Sequence, residues 1–346
     1  MPVNHESGAE ITGWGWAVGR ECVEVARVEK EFGLSPGRIR ERAGIESVAR
    51  VTPGENELTL GGAAAESALE MGGAKREEID WIVASSETML TQPSLGAALH
   101  SQLHLRESCG TLDVGGACLG LLNCLRVAQA LMASESVGHI LVITADVHSS
   151  RLLPGIVPAT FGALFGDGAS AFLVRRVKAS AEPSAFRLGE FQFGCVGMHA
   201  AALQFTFAPD GKVAMNFDGE ALAHAAVSRL KKVVEAVAQH SGIALKAAGG
   251  FAIHQPNPRL VDLFARQAQI SPAKIPQVAT TFGNLGTSTC GVALGLALEQ
   301  SDSLPCERRG PVFLAAVGPG LVWGGGLLYS WTRFDGPREW GGLSRE

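Results

Sequence analysis

The sequence predicts an α/β fold in which one unit of alternating strands and helices is built twice. Three observations carry that reading. Short apolar β-rich runs alternate with helix-like stretches along the chain, and the same order of elements recurs in the second half. The composition also supplies a large core: of 346 residues 46% are hydrophobic and only 18% charged. That balance excludes a disordered chain or a coiled coil, and the length suits two domains or one large duplicated one.

The first half opens with an aromatic-rich strand at residues 11–18 (ITGWGWAV), followed by an Ala-rich amphipathic helix over 60–71. Residues 79–85 (IDWIVAS) and 139–144 (HILVIT) are continuous apolar runs of the kind found in strands buried on both faces. Between them, residues 119–134 are apolar nearly all round, which predicts a buried helix. Residues 167–175 (DGASAFLVR) form the closing strand after a Gly-rich turn, in which Asp167 serves as a hydrogen-bonding anchor. The second half repeats the order: strand 186–193, helix 222–240, strand 249–254, helix 291–300 and strands 311–317 and 324–331. The polar, Pro-containing stretch 177–184 is the expected break, dividing the chain into units 1–178 and 185–346 related by a pseudo-twofold axis.

Charge and cysteine usage narrow the function classes. With 34 acidic and 29 basic residues the net charge is −5, and no Lys/Arg block offers the basic face of a nucleic-acid-binding protein. The seven cysteines are odd in number and scattered without a CxxC pair, so disulfides are not expected. The polar opening residues carry no signal-peptide core, and no apolar window approaches the ~20 residues of a membrane helix. A cytoplasmic protein without membrane attachment is the expectation. His100 and His104 form the sole HxxxH pair, in an ordinary surface helix, so no metal is expected. Glycine is abundant, at 43 residues, which points to tight turns and close backbone approaches.

The chemistry is expected at Cys118. It lies in DVGGACLGL, where Gly115, Gly116 and Ala117 leave room for a substrate beside the backbone, just before the buried helix. A helix N-terminus presents unpaired N–H groups, so a lowered thiol pKa is expected. Cys124, within the helix, reads as a structural cysteine. His254 ends a buried strand and is followed by Gln-Pro-Asn-Pro, which turns the chain out into a loop. Asn284, in the Gly-rich turn FGNLGTST, occupies the place in the second half that Cys118 holds in the first. Sites of α/β proteins assemble at the C-terminal ends of parallel strands, so these three residues are expected to converge.

The motifs GACLG, LFGDGASAFLV, IHQPNPRL, FGNLGTST and AAVGPGLVWGGGLL, in this order, resemble the thiolase superfamily, and within it the ketoacyl-acyl-carrier-protein synthase III branch. The resemblance runs over nearly the whole chain. It implies a five-layered αβαβα fold of two pseudo-twofold-related halves and a Cys-His-Asn site. Cys118 would take an acyl group from a coenzyme A or carrier-protein thioester. His254 and Asn284 would then stabilise the enolate formed when a malonyl unit loses CO2. No cofactor is implied, and the family's habit implies a homodimer.

Several positions depart from the family pattern. The backbone donor loop near the C-terminus reads Gly318-Pro319-Gly320, which puts a proline, with no N–H, at the donor position. Arg38 replaces the tryptophan that covers adenine, while Arg42 is kept; Ala159 replaces an arginine, and Gln92 an aromatic pocket residue. Arg38, Arg42, Gln92 and Asn257 are the expected substrate contacts. The departures imply a specialised fatty-acid or polyketide pathway and a donor other than acetyl-coenzyme A. Arg38, Arg40 and Arg42 suit an acidic carrier protein. Two other readings stay open: acyl transfer from Cys118 to an alcohol, amine or water, and a silent subunit that sets a partner's chain length.

Overall fold

The computed structural model describes residues 7–89, 91–133, 136–178, 186–207, 213–304 and 309–330. Nine strands form the main sheet, numbered here in chain order: β1 Ser7–Val18, β2 Trp81–Ser85, β3 Gly110–Asp113, β4 His139–Val147, β5 Asp167–Lys178, β6 Phe186–Cys195, β7 Gly250–Ile253, β8 Val312–Gly318 and β9 Val322–Tyr329. Six longer helices accompany them: α1 Glu57–Gly72, α2 Leu95–Gln102, α3 Gly120–Leu131, α4 Gly219–Ser241, α5 Pro258–Ala268 and α6 Ser288–Asp302.

The duplication is plain in the strand order. The first half runs β1-β5-β4-β2-β3 and the second β6-β9-β8-β7. In each half the strand that follows the first long helix pairs parallel with its neighbour, β2 with β4 and β7 with β8. In that order the first two pairings of each half, β1–β5 and β5–β4, β6–β9 and β9–β8, are antiparallel. The halves meet edge to edge where β1 pairs with β6 through Glu10–Arg187 and Ile11–Phe186.

Alternation along the strands sorts side chains into layers. From β2, β4 and β5, Val83, Val142, Phe172 and Val174 face inward; from β7, β8 and β9, Ala252, Leu314, Ala316 and Leu328 do the same. Between these two faces lie α3, with Leu121, Leu122 and Leu125, and α6, with Val292, Leu294 and Leu298. On the outer face of the first half, Ile82, Ile143 and Leu173 pack against Leu60, Ala64 and Ala68 of α1 and Leu99 of α2. On the outer face of the second, Phe251, Phe313 and Leu327 pack against Val227 and Val234 of α4 and Phe264 of α5. The result is a five-layered αβαβα arrangement whose strands are buried on both sides, which is why they read as unbroken apolar runs.

Two helices begin at clear sequence signals. Asn56 and Thr59 cap α1 reciprocally: Thr59 N–H donates to Asn56 Oδ1 at 3.0 Å and Asn56 N–H to Thr59 Oγ1 at 2.8 Å. Residues 254–257 form the loop expected after the strand, and helix α5, which the sequence reading did not include, starts at its end. Asn257 caps it, accepting from Leu260 N–H at 3.0 Å, and Pro258 fills its first turn, where a missing N–H costs nothing. The expected break at 177–184 falls largely on residues 179–185, outside the described residues. Among the described residues no helix is long and apolar enough to cross a membrane.

Candidate active site

Cys118 stands on a short 3-10 turn, Ala117–Leu119, that leads into α3. The entry is tightly wound: Gly116 has φ 142°, Ala117 φ 47°, and Asn123 Nδ2 donates to the Gly115 carbonyl at 2.9 Å. Gly318, the last residue of β8, lies against this turn; a β-carbon there would stand 3.7 Å from the Cys118 nitrogen and 3.5 Å from the Gly116 oxygen. The Gly318-Pro319-Gly320 loop therefore starts against the backbone of the Cys118 turn, with its own turn made by Gly320 at φ 81°.

His254 follows β7 directly, and its backbone N–H extends the parallel ladder to the Ala315 carbonyl. The ring is 2% exposed, and its buried Nδ1 has no hydrogen-bond partner. Burial holds the imidazole neutral, lowering its pKa to about 4 against the opposing pull of Glu87. Gln255, fully buried, ties this loop to the next one. Its Oε1 accepts from Val278 and Ala279 N–H, and its Nε2 donates to the Pro276 carbonyl.

Asn284 is anchored to the first half of the chain. Its N–H donates to the Leu164 carbonyl at 2.8 Å, and its own carbonyl accepts from Gly166 N–H. The side-chain oxygen accepts from Gly286 N–H and the Thr289 hydroxyl. That fixes the amide orientation and leaves its NH2 group to donate elsewhere. The same loop is joined to the cysteine turn, because the Thr287 hydroxyl donates to the Ala117 carbonyl at 3.1 Å.

A second set of polar residues, which the sequence reading missed, lies at the ends of β2 and β4. Glu87, Asp146 and His148 offer side-chain atoms all within 4.8 Å of one another. Asp146 accepts from the Ser86 hydroxyl, Glu87 N–H and Thr287 N–H. His148 Nδ1 donates to the Gly166 carbonyl at 3.0 Å, and its Nε2 lies 2.9 Å from Glu87 Oε1. A carbonyl can only accept, so Nδ1 carries a proton, and Nε2 carries the second where it donates to the Glu87 carboxylate. Although burial opposes the charge, Glu87 raises the His148 pKa to about 9. Both nitrogens of His148 and both oxygens of Asp146 are thus engaged within the protein, which makes the set a hydrogen-bonded network rather than an open group of metal ligands. The signal available in the sequence was position: charged residues just past the C-terminal ends of two adjacent parallel strands.

This network corrects the expected state of Cys118. The half-buried thiol is pushed well above its ordinary pKa, first by burial and then by the charges of Glu87 and Asp146. A backbone hydrogen bond at Cys118 pulls the other way without reversing the shift. Cys118 is therefore a protonated thiol at neutral pH. Its alkylation by iodoacetamide, followed on the Cys118 peptide by mass spectrometry, should rise with pH to a midpoint above the ~8.5 of a free cysteine; a lower midpoint would restore the expected helix effect.

The remaining expected contacts are distributed differently. Arg38 and Arg42 are exposed on the short helix Arg38–Ala43, which abuts the start of α5 at Gly44 and Pro258. Gln92 is exposed in the loop between β2 and α2. Asn257, expected to touch substrate, has its side-chain oxygen committed to the cap of α5. Asp167 holds the FGDG turn as expected, accepting from Val51 N–H and from the N–H and hydroxyl of Ser149.

The chain matches the family model described as 3-oxoacyl-[acyl-carrier-protein] synthase III over residues 112–197, and the model of that family's C-terminal part over 238–330. A beta-ketoacyl-[acyl-carrier-protein] synthase III of Chlamydia pneumoniae is 27% identical over 94% of this chain and 98% of the relative. A 3-oxopimeloyl-[acyl-carrier-protein] synthase of Brucella abortus is 29% identical over 92% and 98%. Among solved structures, the 3-oxoacyl-[acyl-carrier-protein] synthase III of Aquifex aeolicus superposes with TM-score 0.81 at 23% identity, covering 93% of this chain and all of that one. The priming beta-ketosynthase of the R1128 polyketide pathway does so with TM-score 0.83 at 24% identity, covering 95% and 98%.

Proposed function

Because the chain belongs to the 3-oxoacyl-[acyl-carrier-protein] synthase III family of condensing acyltransferases, we propose that it loads an acyl group onto Cys118 and joins it to a malonyl-type thioester with loss of CO2. The observation that carries this reading is the joining of three loops: the His254 loop tied through Gln255 to Val278 and Ala279, and the Asn284 loop bonded through Thr287 to Ala117 of the Cys118 turn. In the first half-reaction the Cys118 sulfur attacks a donor thioester and displaces its thiol. In the second, the malonyl carbon–carboxyl bond breaks and the electron pair moves onto the thioester carbonyl. A neutral imidazole and an amide NH2 are fitted to donate to that oxygen, where preorganised donors contribute about 3–4 kcal/mol each. The carbanion then attacks the acyl-Cys118 carbonyl and regenerates the thiol. The sulfur released takes up one proton from water, and with it the atoms balance on thioester substrates.

For delivery we favour a carrier protein or coenzyme A arriving over the exposed Arg38, Arg40 and Arg42, whose charge complements an acidic carrier or a phosphate. A homodimer fits the family habit. The proline at 319, the arginine at 38 and the glutamine at 92 favour a donor other than acetyl-coenzyme A. The Brucella relative, named for a 3-oxopimeloyl product, is consistent with such latitude. Intact-mass measurement after exposure to a panel of acyl thioesters tests the donor: a non-acetyl group should load Cys118, and rapid stoichiometric labelling by acetyl-coenzyme A would overturn that assignment.

A further inference from the structure

We propose that Glu87 is the proton acceptor for Cys118 in the acyl-loading half-reaction, with His148 as the residue that positions its carboxylate. The inference rests on the reading of Cys118 as nucleophile and deepens it by naming the base that reading lacks. Four observations lead to it.

First, the network places Glu87 beside the site through successive bonds. Glu87 N–H donates to Asp146, Asp146 also accepts from Thr287 N–H, and the Thr287 hydroxyl donates to the Ala117 carbonyl, one residue before the thiol. On the other side, a β-carbon at Gly286, two residues from Asn284, would stand 2.1 Å from Glu87 Oε1 and 2.5 Å from the His148 ring, so the Asn284 loop rests directly on the pair. Second, among charged groups Glu87 acts most strongly on both the Cys118 thiol and the His254 imidazole.

Third, the other candidates are unsuited. Asp146 is fully buried with both oxygens accepting hydrogen bonds. His148 has both ring nitrogens engaged, Nδ1 with the Gly166 carbonyl and Nε2 with Glu87, so neither is open to the thiol. His254 is a weak base in its buried surroundings, with an unpartnered Nδ1. Fourth, Glu87 is the accessible member of the network. Its side chain is 21% exposed against 4% for His148, and its Oε1 alone is bound to His148, which leaves Oε2 to take a proton. The charged and titratable groups facing it are His148 and Asp146 from β4 and its end, Cys118 from the turn before α3, and His254 after β7; Asp167 in turn acts on His148.

The step balances without a further reactant. As Cys118 Sγ bonds to the donor carbonyl carbon, its proton passes to Glu87. The carbon–sulfur bond of the donor then breaks, and the departing thiolate takes the proton from Glu87, which returns to carboxylate.

The test is single-turnover acyl loading, read by intact mass, for the wild type, Glu87→Gln, Glu87→Ala and His148→Gln across a range of pH. Glu87→Gln should slow loading by about 10²-fold or more, and its residual rate should climb with hydroxide concentration. Added formate should restore part of the rate of Glu87→Ala, and His148→Gln should fall between Glu87→Gln and wild type. The alkylation midpoint of Cys118 should move down in Glu87→Gln, because a negative charge facing the sulfur is gone; this reading holds even for a variant of reduced stability. Loading by Glu87→Gln within about twofold of wild type, or an unmoved alkylation midpoint, would overturn the proposal while leaving Cys118 as nucleophile. Absence of loading in the wild type with every donor would instead overturn the nucleophile itself.

Discussion

Replacing Cys118 by alanine is expected to lower acyl transfer by at least about 10³-fold, because it removes the sulfur that forms the thioester intermediate. Cys124 and Cys290 are fully buried in the central layer, with thiols pushed above their ordinary range by that burial, so neither can substitute. The same variant should still release CO2 from a malonyl thioester, since the enolate donors, His254 and Asn284, are anchored independently of the sulfur by Gln255, Leu164 and Gly166. Intact-mass acylation and labelled CO2 release, measured on one preparation, separate the two functions. Loss of both activities together in Cys118→Ala would contradict the division of labour; acylation at an unreduced rate would contradict the nucleophile.

The second large effect is expected at the enolate. His254→Ala and Asn284→Ala should each lower malonyl decarboxylation by about 10²–10³-fold, the range for removing one preorganised donor. The double variant should lose far less than the product of the two, because both donors serve one oxygen and neither stabilises it fully alone. Asn284→Asp is the sharper variant. It keeps the size and the oxygen that accepts from Gly286 and Thr289, but replaces the donating NH2 with an acceptor, and it should be as damaging as alanine. Decarboxylation kinetics read all four. An Asn284→Asp enzyme of near wild-type rate would remove the amide from the mechanism.

Much of the fold was legible because of where the strands lie. The runs at β2, β4 and β8 are buried on both faces by the layers around them, so their sequences are continuously apolar and stand out. The double occurrence of helix-then-strand was visible for the same reason. Helix α5 was not, although Asn257-Pro258 followed by Val261, Phe264 and Ala265 carries both a cap and a helical period. The two prolines drew attention to the turn they make and away from the helix they start. Cys118, His254 and Asn284 were legible as residue types at strand and helix ends. The protonation state of Cys118 was not, because it is set first by burial and then by Glu87 and Asp146, distant in sequence and placed at the ends of the parallel strands β2 and β4. Asn257, read as a substrate contact beside His254, also caps α5 through its side-chain oxygen, a role its place before Pro258 signals.

The central claim is that an acyl group held on Cys118 is joined to a carbanion made at His254 and Asn284. It is tested most directly by loading the enzyme with an acyl thioester, removing excess donor, adding a malonyl thioester, and identifying the product by mass. The account predicts a β-ketoacyl thioester containing the acyl chain plus two carbons, with one CO2 released for each product formed. Release of the acyl group only as free acid, ester or amide, with no new carbon–carbon bond from any malonyl thioester, would contradict it.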